Sequence, residues 1–552
     1  MNQRRAQAWS RYPASALLLV VVFLGCSQTN AEPSLDGRGG RLLDARRGLT
    51  DVRFSVNTSR GRRPISPFIY GVNADAPIDA YRARFYRIGG NRWSTYNWEI
   101  NASNAGSDYF HQNDDYLGGG TQPGEAVRSR YALAKSAGAT GLITVPMAGL
   151  VAKDKFGDGD ISLTKEFKSR RLAASILTLP VRSNRFRRSS LFPDSTDEVV
   201  NQAEFISWLV ELAGADPLFL SLDNEPALWP STHPRIHPHP VRYDELIGRS
   251  IELATAIRVL APGAMVFGPV SYGFQEMVNL QSAPDARGRD FLEVYLREMK
   301  EAHRRSKRRL LDVLDVHWYP EVRAGETKVL GQDGGSPELI AARVMAPRSL
   351  WDPKFVEESW ITDYLGGPIR LIPRLREKID RVYPGTRLAV TEYSYGGGAH
   401  ISGAVAQAEV LGIFGREGVF AAALWAHGQS DTSFIQAAFR MFLDFDGQGA
   451  HFGDTSVEAG TNDPDRTSLY ASIEADHPNR MVVVTINRSN DALRVELVIE
   501  HPERLRVQGE ARLEGDRPVP SYPVTKPESI GPNRFIASLP PMSVTTYSFA
   551  EE

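Results

Sequence analysis

Eight short apolar runs, each rich in β-branched or aromatic residues, recur along 68–425 with helical stretches between them. They are 68–73 (FIYGVN), 84–89 (RFYRIG), 141–146 (GLITVP), 218–223 (LFLSLD), 265–269 (MVFGP), 314–319 (LDVHWY), 387–393 (RLAVTEY) and 420–425 (FAAALW). A strand that is apolar on both faces belongs in a sheet covered on both sides, and strands alternating with helices pair in parallel. The stretches 243–260, 291–311 and 405–414 repeat apolar residues three and four apart, and the first ends at Pro262-Gly263. Eight such units predict a closed (β/α)8 TIM barrel over 65–445, with its chemistry at the carboxyl ends of the strands. The long inserts after the second and sixth strands then fall on that same face.

After about residue 446 the texture changes. Runs at 469–475, 481–487, 493–499, 507–514, 534–539 and 544–549 are short, alternating and separated by turn residues. This is the pattern of an antiparallel β-sandwich, assigned to 446–552. The segment 52–56 also alternates, so 49–64 is expected to add a strand to that second module. With 552 residues the chain is long enough for both.

The N-terminus reads as an address. Arg4, Arg5 and Arg11 precede the apolar run 14–24 (ASALLLVVVFL), which is too short to span a bilayer comfortably and ends at Phe23-Leu24-Gly25-Cys26. Cys26 is the only cysteine of the chain, which excludes an internal disulfide. A lone thiol at the end of such a run points to lipidation. Residues 1–26 are therefore expected to be a lipoprotein signal, 27–48 a flexible tether, and the protein to be exported and anchored to a membrane through lipid, or secreted. The net charge of −2 provides no field for nucleic acid, so none is expected as a partner. The short basic clusters 185–188 and 304–309 read as solvated surface.

Two carboxylates stand out because of where the barrel places them. The fourth strand runs into Asp223-Asn224-Glu225-Pro226 and the seventh into Thr391-Glu392-Tyr393. Two carboxyl groups facing one barrel mouth suit glycosidic-bond hydrolysis with retention, in which one protonates the leaving oxygen and the other attacks the anomeric carbon. Of the nine tryptophans, Trp93, Trp98, Trp229, Trp318 and Trp425 follow or end strand runs on that face. Indole faces stack on the apolar faces of sugar rings, so the five are expected to line the mouth.

Longer motifs carry a family likeness: IYGVN (69–73), GGNRWSTYNWEINASNAGSDY (89–109), SLDNEPALW (221–229), THPRIHP (232–238), DVHWYPE (315–321) and TEYSYGGGAHISG (391–403). With these the chain resembles glycoside hydrolase family 44, endo-β-1,4-glucanases and xyloglucanases, over nearly its whole mature length. The resemblance implies a (β/α)8 barrel with a β-sandwich and a retaining mechanism. It implies that Glu225 is the acid/base, Glu392 the nucleophile, and Asn224 a contact to the 2-hydroxyl of the cleaved sugar. It also puts His317 and Tyr319 on the nucleophile side and Asn91 and Trp93 in the cleft floor; Tyr393, next to the nucleophile in sequence, is expected to bind substrate. Ile88 departs from the aromatic more usual before Gly-Gly-Asn, which bears on one sugar subsite.

The expected reaction is endo-hydrolysis of β-1,4-glucan backbones by a monomer, with no cofactor needed for the chemistry. The same chemistry on xylan, mannan or mixed-linkage glucan is the first alternative, and a non-catalytic glycan-binding lipoprotein the second. Two weaker signals concern metals. His233, His237 and His239 crowd a proline-rich stretch without completing a zinc pattern, and read as a stiff loop beside Glu225. Asp154, Asp158 and Asp160 leave room for a structural calcium, although they lack the EF-hand spacing.

Overall fold

The structure, a computed structural model, describes residues 50–155, 172–176, 199–331, 333–426, 428–523 and 526–552. These belong to one compact unit, Thr50–Glu552. The expected signal and tether, with Cys26, lie outside the described residues, as do Asp158, Asp160 and the basic cluster 185–188.

All eight expected strands are present and close in chain order: β1 (Gly71–Asn73), β2 (Phe85–Ile88), β3 (Thr140–Val145), β4 (Phe219–Leu222), β5 (Met265–Ser271), β6 (Val313–Trp318), β7 (Arg387–Tyr393) and β8 (Ala421–Leu424). Every neighbouring pair is parallel. The first run begins later than expected, because Ser66 caps a 3-10 turn at Pro67–Ile69. At the amino end the barrel is plugged with phenylalanine. Phe68 and Phe219 meet edge to face at 5.2 Å, and Phe219 lies 5.5 Å from Phe267. The small side chains Ala389, Ala421 and Ala423 on β7 and β8 leave the volume those rings need. Apolar below and polar above, the interior divides the floor from the site.

Among the described residues, seven α-helices of more than ten residues surround the barrel: α1 (Glu125–Ser136), α2 (Gln202–Ala213), α3 (Tyr243–Leu260), α4 (Phe291–Ser306), α5 (Leu371–Val382), α6 (Ile401–Glu417) and α7 (Ser433–Leu443). Only a 3-10 turn, Ile78–Tyr81, joins β1 to β2. Helix α4 starts where Asp290 caps the Glu293 amide at 3.0 Å. It stops at Ser306, short of the expected residue 311, because Lys307 turns left-handed with φ 59°. Helix α6 is longer than expected at both ends. Ile401–Gly415 is buried on every side, so the helix lacks the apolar stripe that marks a surface helix.

The second module has two sheets. In one the order is Glu458–Thr461, Val52–Asn57, Leu493–Glu500, Arg534–Leu539, Glu528–Gly531. Val52–Asn57 thus lies inside this sheet, parallel to Leu493–Glu500 and antiparallel to Glu458–Thr461. The other holds six strands, from Arg63–Pro64 to Leu505–Leu513. It packs against α6 and α7, where Glu409 pairs with buried Arg488 and accepts the Tyr470 hydroxyl at 2.6 Å. A small three-stranded sheet after β3 (Leu150–Ala152, Leu172–Ile176, Val199–Asn201) was not foreseen, its strands being too short to show a period.

Candidate active site

The end of β4 is bent into position by buried contacts. Asp223 (φ 66°) and Glu225 (φ 43°) both adopt left-handed backbone, which costs energy in residues with a Cβ and persists where the surroundings impose it. Asp223 is fully buried and accepts the Asn224 amide at 2.7 Å, together with the Ser94 hydroxyl and the Met147 amide. Burial pushes its carboxyl up to about 6. The Glu225 amide donates to the Val270 carbonyl of β5 at 3.0 Å. Contacts from the β2 loop, the end of β3 and β5 therefore set the direction of one turn.

Glu392 is aimed by a bulge. In the pairing of β6 with β7, Val316 opposes Val390 and His317 opposes Glu392, so Thr391 is an extra residue on β7. On the other side Val390 opposes Ala422 and Tyr393 opposes Leu424, again with one residue too many. The bulge lets two successive side chains face inward. The Thr391 hydroxyl donates to Asp315 at 2.8 Å, while Glu392 reaches Arg87. Asp315 is fully buried, and burial pushes its carboxyl up to about 7 against the pull of Arg87.

A carboxylate oxygen of Glu225, one of Glu392 and a ring nitrogen of His317 all lie within 4.8 Å of one another. The two carboxyl groups sit in different surroundings. Both oxygens of Glu392 are engaged: Oε1 accepts from Arg87 at 2.5 Å and Oε2 from the Tyr319 hydroxyl at 2.7 Å. Burial lifts its pKa, and Arg87 and the Tyr319 bond offset part of that rise. Glu225 has no such direct cation, and burial, opposed by the more distant Arg87 and aided by Asp108, pushes it up to about 7. Its side chain keeps 13% of its surface against 2% for Glu392, so it can reach an incoming leaving group. A proton is thus retained on Glu225 at a pH where Glu392 is ionised.

Arg87 on β2 was missed by sequence reasoning. Fully buried, it spans the site, donating to Glu392, to Asn73 Oδ1 at 2.9 Å and to Asn224 Oδ1 at 2.6 Å. Gly89 makes room for it, since a Cβ there would lie 2.6 Å from the guanidinium carbon. The readable signal was a single charge inside FYRI, a run otherwise buried on both faces. Asn224 in turn donates to Asn91 Oδ1 at 3.4 Å, which joins the two asparagines of the expected site.

Several expectations need correction. His317 was placed with the nucleophile, but its Nδ1 lies 2.7 Å from Glu225 Oε1 and 3.5 Å from Glu392 Oε2, so it serves Glu225 first. Burial lowers its pKa to about 3, leaving a neutral ring that shares one hydrogen bond with Glu225. Trp93, Trp98, Trp229 and Trp318 keep 3%, 1%, 1% and 1% of their surface, and so pack instead of offering open faces. Trp98 stacks on Phe205 at 5.6 Å, Trp93 meets Tyr96 at 5.1 Å and Trp229 meets His237 at 5.5 Å. Trp318 follows inward-facing His317 on a strand and takes the opposite side. For the same reason Tyr393 points away from the mouth, accepting from Gln407 at 2.9 Å and meeting Phe414 edge-on, both on α6. Of the five indoles, only Trp425 is half-exposed, beside Gly90.

The metal readings fare differently. His237 binds Glu245 Oε1 at 2.9 Å and the His239 carbonyl at 2.8 Å, and His233 binds the Asn91 carbonyl at 2.9 Å. The stretch is the stiff loop expected beside Glu225. Among the described residues the one group with metal-ligating atoms in mutual reach is Glu225, His317 and Glu392 itself. With Arg87 and Tyr319 on its two oxygens, Glu392 is surrounded by donors, which suits a poised carboxylate better than a ligand of a cation. Of the calcium-like aspartates only Asp154 is described; it accepts from Asn113 at 3.4 Å.

A family model described as glycoside hydrolase family 44 matches residues 102–322. The fold superposes on a Paenibacillus polymyxa xyloglucanase of that family with a TM-score of 0.86 and 35% identity, covering 91% of this chain and 100% of the other. The chain belongs to glycoside hydrolase family 44. It is also 41% identical over 472 residues to a Caldicellulosiruptor saccharolyticus β-mannanase/endoglucanase A, covering 80% of this chain and 34% of the relative. With a Paenibacillus lautus endoglucanase A it shares 40% over 461 residues, 80% of this chain and 64% of that one. The chain thus spans a third to under two thirds of the length of these curated relatives. Within the family the barrel and sandwich seen here are the shared architecture.

Proposed function

We propose that the protein is an endo-acting glycoside hydrolase that cuts β-1,4-glucan backbones, both cellulose-type glucan and xyloglucan, with retention of configuration. The observation that carries this reading is the approach of Glu225 and Glu392 to within 4.8 Å, one held near a proton and the other beside a guanidinium. Retaining glycosidases need their two carboxyl groups about 5 Å apart, whereas inverting ones leave room for a water between them.

In the first step Glu225 protonates the glycosidic oxygen as Glu392 attacks the anomeric carbon, so the carbon–oxygen bond breaks as the enzyme ester forms. Glu225, now a carboxylate, takes a proton from water, and the hydroxide equivalent releases the sugar from Glu392. Asn224, oriented by Arg87 and Asn91, is placed for the 2-hydroxyl of the sugar under attack. Tyr319 and Arg87 keep Glu392 ionised and fixed until it reacts.

Reducing-end release from a panel of carboxymethylcellulose, xyloglucan, xylan, mannan and mixed-linkage glucan tests the reading. Turnover on the first two is expected, with Glu392→Gly lowering it at least about 10³-fold. A Glu392→Gly variant that retains near wild-type turnover removes the assignment. Mannan is on the panel because one relative, of which this chain covers 34%, is named a β-mannanase/endoglucanase. Export with a lipid on Cys26 is also part of the proposal: Cys26→Ser is expected to move the protein from the membrane fraction to the soluble one, and radiolabelled palmitate reports the lipid directly.

A further inference from the structure

The loop after β2 contains a feature that the catalytic pair does not use. Tyr109 and Phe110 are 48% and 61% exposed, and their rings touch edge to face at 5.0 Å. Large aromatic side chains left in water forgo burial that the same residues would gain in a core. Here the backbone is strained as well. Phe110 and His111 have φ of 50° and 56°, in the left-handed region that bulky side chains avoid. Strain of this kind persists only where the surroundings impose it, and it gathers at ligand clamps.

The surroundings do impose it. Asn104 spans the loop, accepting the Gly106 amide at 2.9 Å and donating to the His111 carbonyl at 2.7 Å. Ser107 donates to the Ser231 carbonyl at 2.7 Å, and Asp108 accepts from Asn91 at 3.3 Å. Gly106 is pressed so close to the segment after Glu225 that a Cβ would lie 2.1 Å from the Thr232 carbonyl. The loop is therefore anchored to Asn91 and to the histidine-rich segment, both next to the acid/base, and Asp108 is near enough to Glu225 to raise its pKa. The packing of that segment fixes the backbone that carries the two exposed rings.

We propose that Tyr109 and Phe110 form a stacking platform for a β-linked pyranose ring of the polysaccharide, at a subsite removed from the bond that is cut. The proposal rests on the glycan-cleaving reading above. A rigid, exposed aromatic surface binds the apolar face of a sugar without ordering itself first.

Affinity electrophoresis through gels with carboxymethylcellulose or xyloglucan reads binding and not product release. Relative to wild type, the Tyr109→Ala/Phe110→Ala double variant is expected to bind about tenfold more weakly, of the order of one aromatic contact per sugar. Phe110→Trp is expected to recover or exceed wild-type retardation. Hydrolysis of cellohexaose against an aryl cellobioside gives a second readout, with the loss on the hexaose at least about fivefold larger than on the short substrate. Unchanged retardation in the double variant, equal losses on long and short substrates, or a wild-type protein that neither gel retards each overturns the platform. A wild type that is retarded and platform-dependent but cuts nothing leaves the platform standing and removes the hydrolase reading instead.

Discussion

Arg87 illustrates how one buried side chain can fix both charge and shape in a catalytic site. Its guanidinium reaches Glu392, Asn224 and Asn73 in three directions, which an ammonium cannot reproduce. Arg87→Lys is expected to lower kcat/KM on polymer by about 10²–10³-fold while the fold survives, checked by steady-state kinetics alongside circular dichroism. The pH profile belongs to the same scale. Activity needs Glu225 protonated and Glu392 ionised, so kcat/KM is expected to rise as Glu392 loses its proton and to fall above about pH 7 as Glu225 loses its own. In Glu225→Gln the alkaline limb should vanish along with most of the rate. Both carboxylates were legible because their motifs end strands; Asn224 came with the first of those motifs and Asn91 with the Gly-Gly-Asn stretch after β2. Arg87 and Asp315 were not, because a charge within a buried strand has no pattern to announce its partners. Trp318 and Tyr393 misled for the opposite reason: they adjoin functional residues in sequence, and alternation sends them to the other face.

At the scale of elements, the eight strands could be read because a parallel strand buried on both faces is a continuous apolar run. Register was not readable. The bulge at Thr391 is visible only when β6 and β8 lie alongside β7 and each is one residue short. Helix α6 shows another limit of pattern, since burial on every side erased its stripe. It is also the seam between the two modules. A Cβ on Gly412 would lie 2.3 Å from the ring of Tyr470 in the sandwich, so Gly412→Ala forces the helix and sheet apart. The overpacking is expected to cost about 1–3 kcal/mol, offset only in part by the better helix propensity of alanine, and to appear as a lower thermal midpoint. An unchanged midpoint would show that the seam relaxes freely.

For the molecule as a whole, several buried ionisable groups pull stability in opposite directions with pH. Glu225 and Asp315 are raised to about 7, and Asp223 to about 6, above their usual carboxyl values. Each is neutral in the fold where it would be ionised unfolded, so its contribution is complete at low pH and is lost as pH rises through the folded value. His317 and His233 are lowered to about 3 and about 4, which favours the fold increasingly as pH rises toward the ordinary histidine value. The two effects oppose each other until about pH 7.5, where the unfolded histidines have lost their protons. Stability measured by chemical denaturation is therefore expected to decline by about 1 kcal/mol from pH 6.5 to 8. Asp315→Asn should flatten that slope, and a steady or rising curve in the wild type would contradict the assignment.

Because Val52–Asn57 sits between Leu493–Glu500 and Glu458–Thr461, the described chain begins inside a sheet formed from its own distal third. Mechanical load arriving at Thr50 from whatever precedes it is borne first by two rows of backbone hydrogen bonds in the sandwich, sliding past one another. The barrel and its paired glutamates follow that strand in the chain, so force applied at Thr50 strains the sandwich before it disturbs the glutamates.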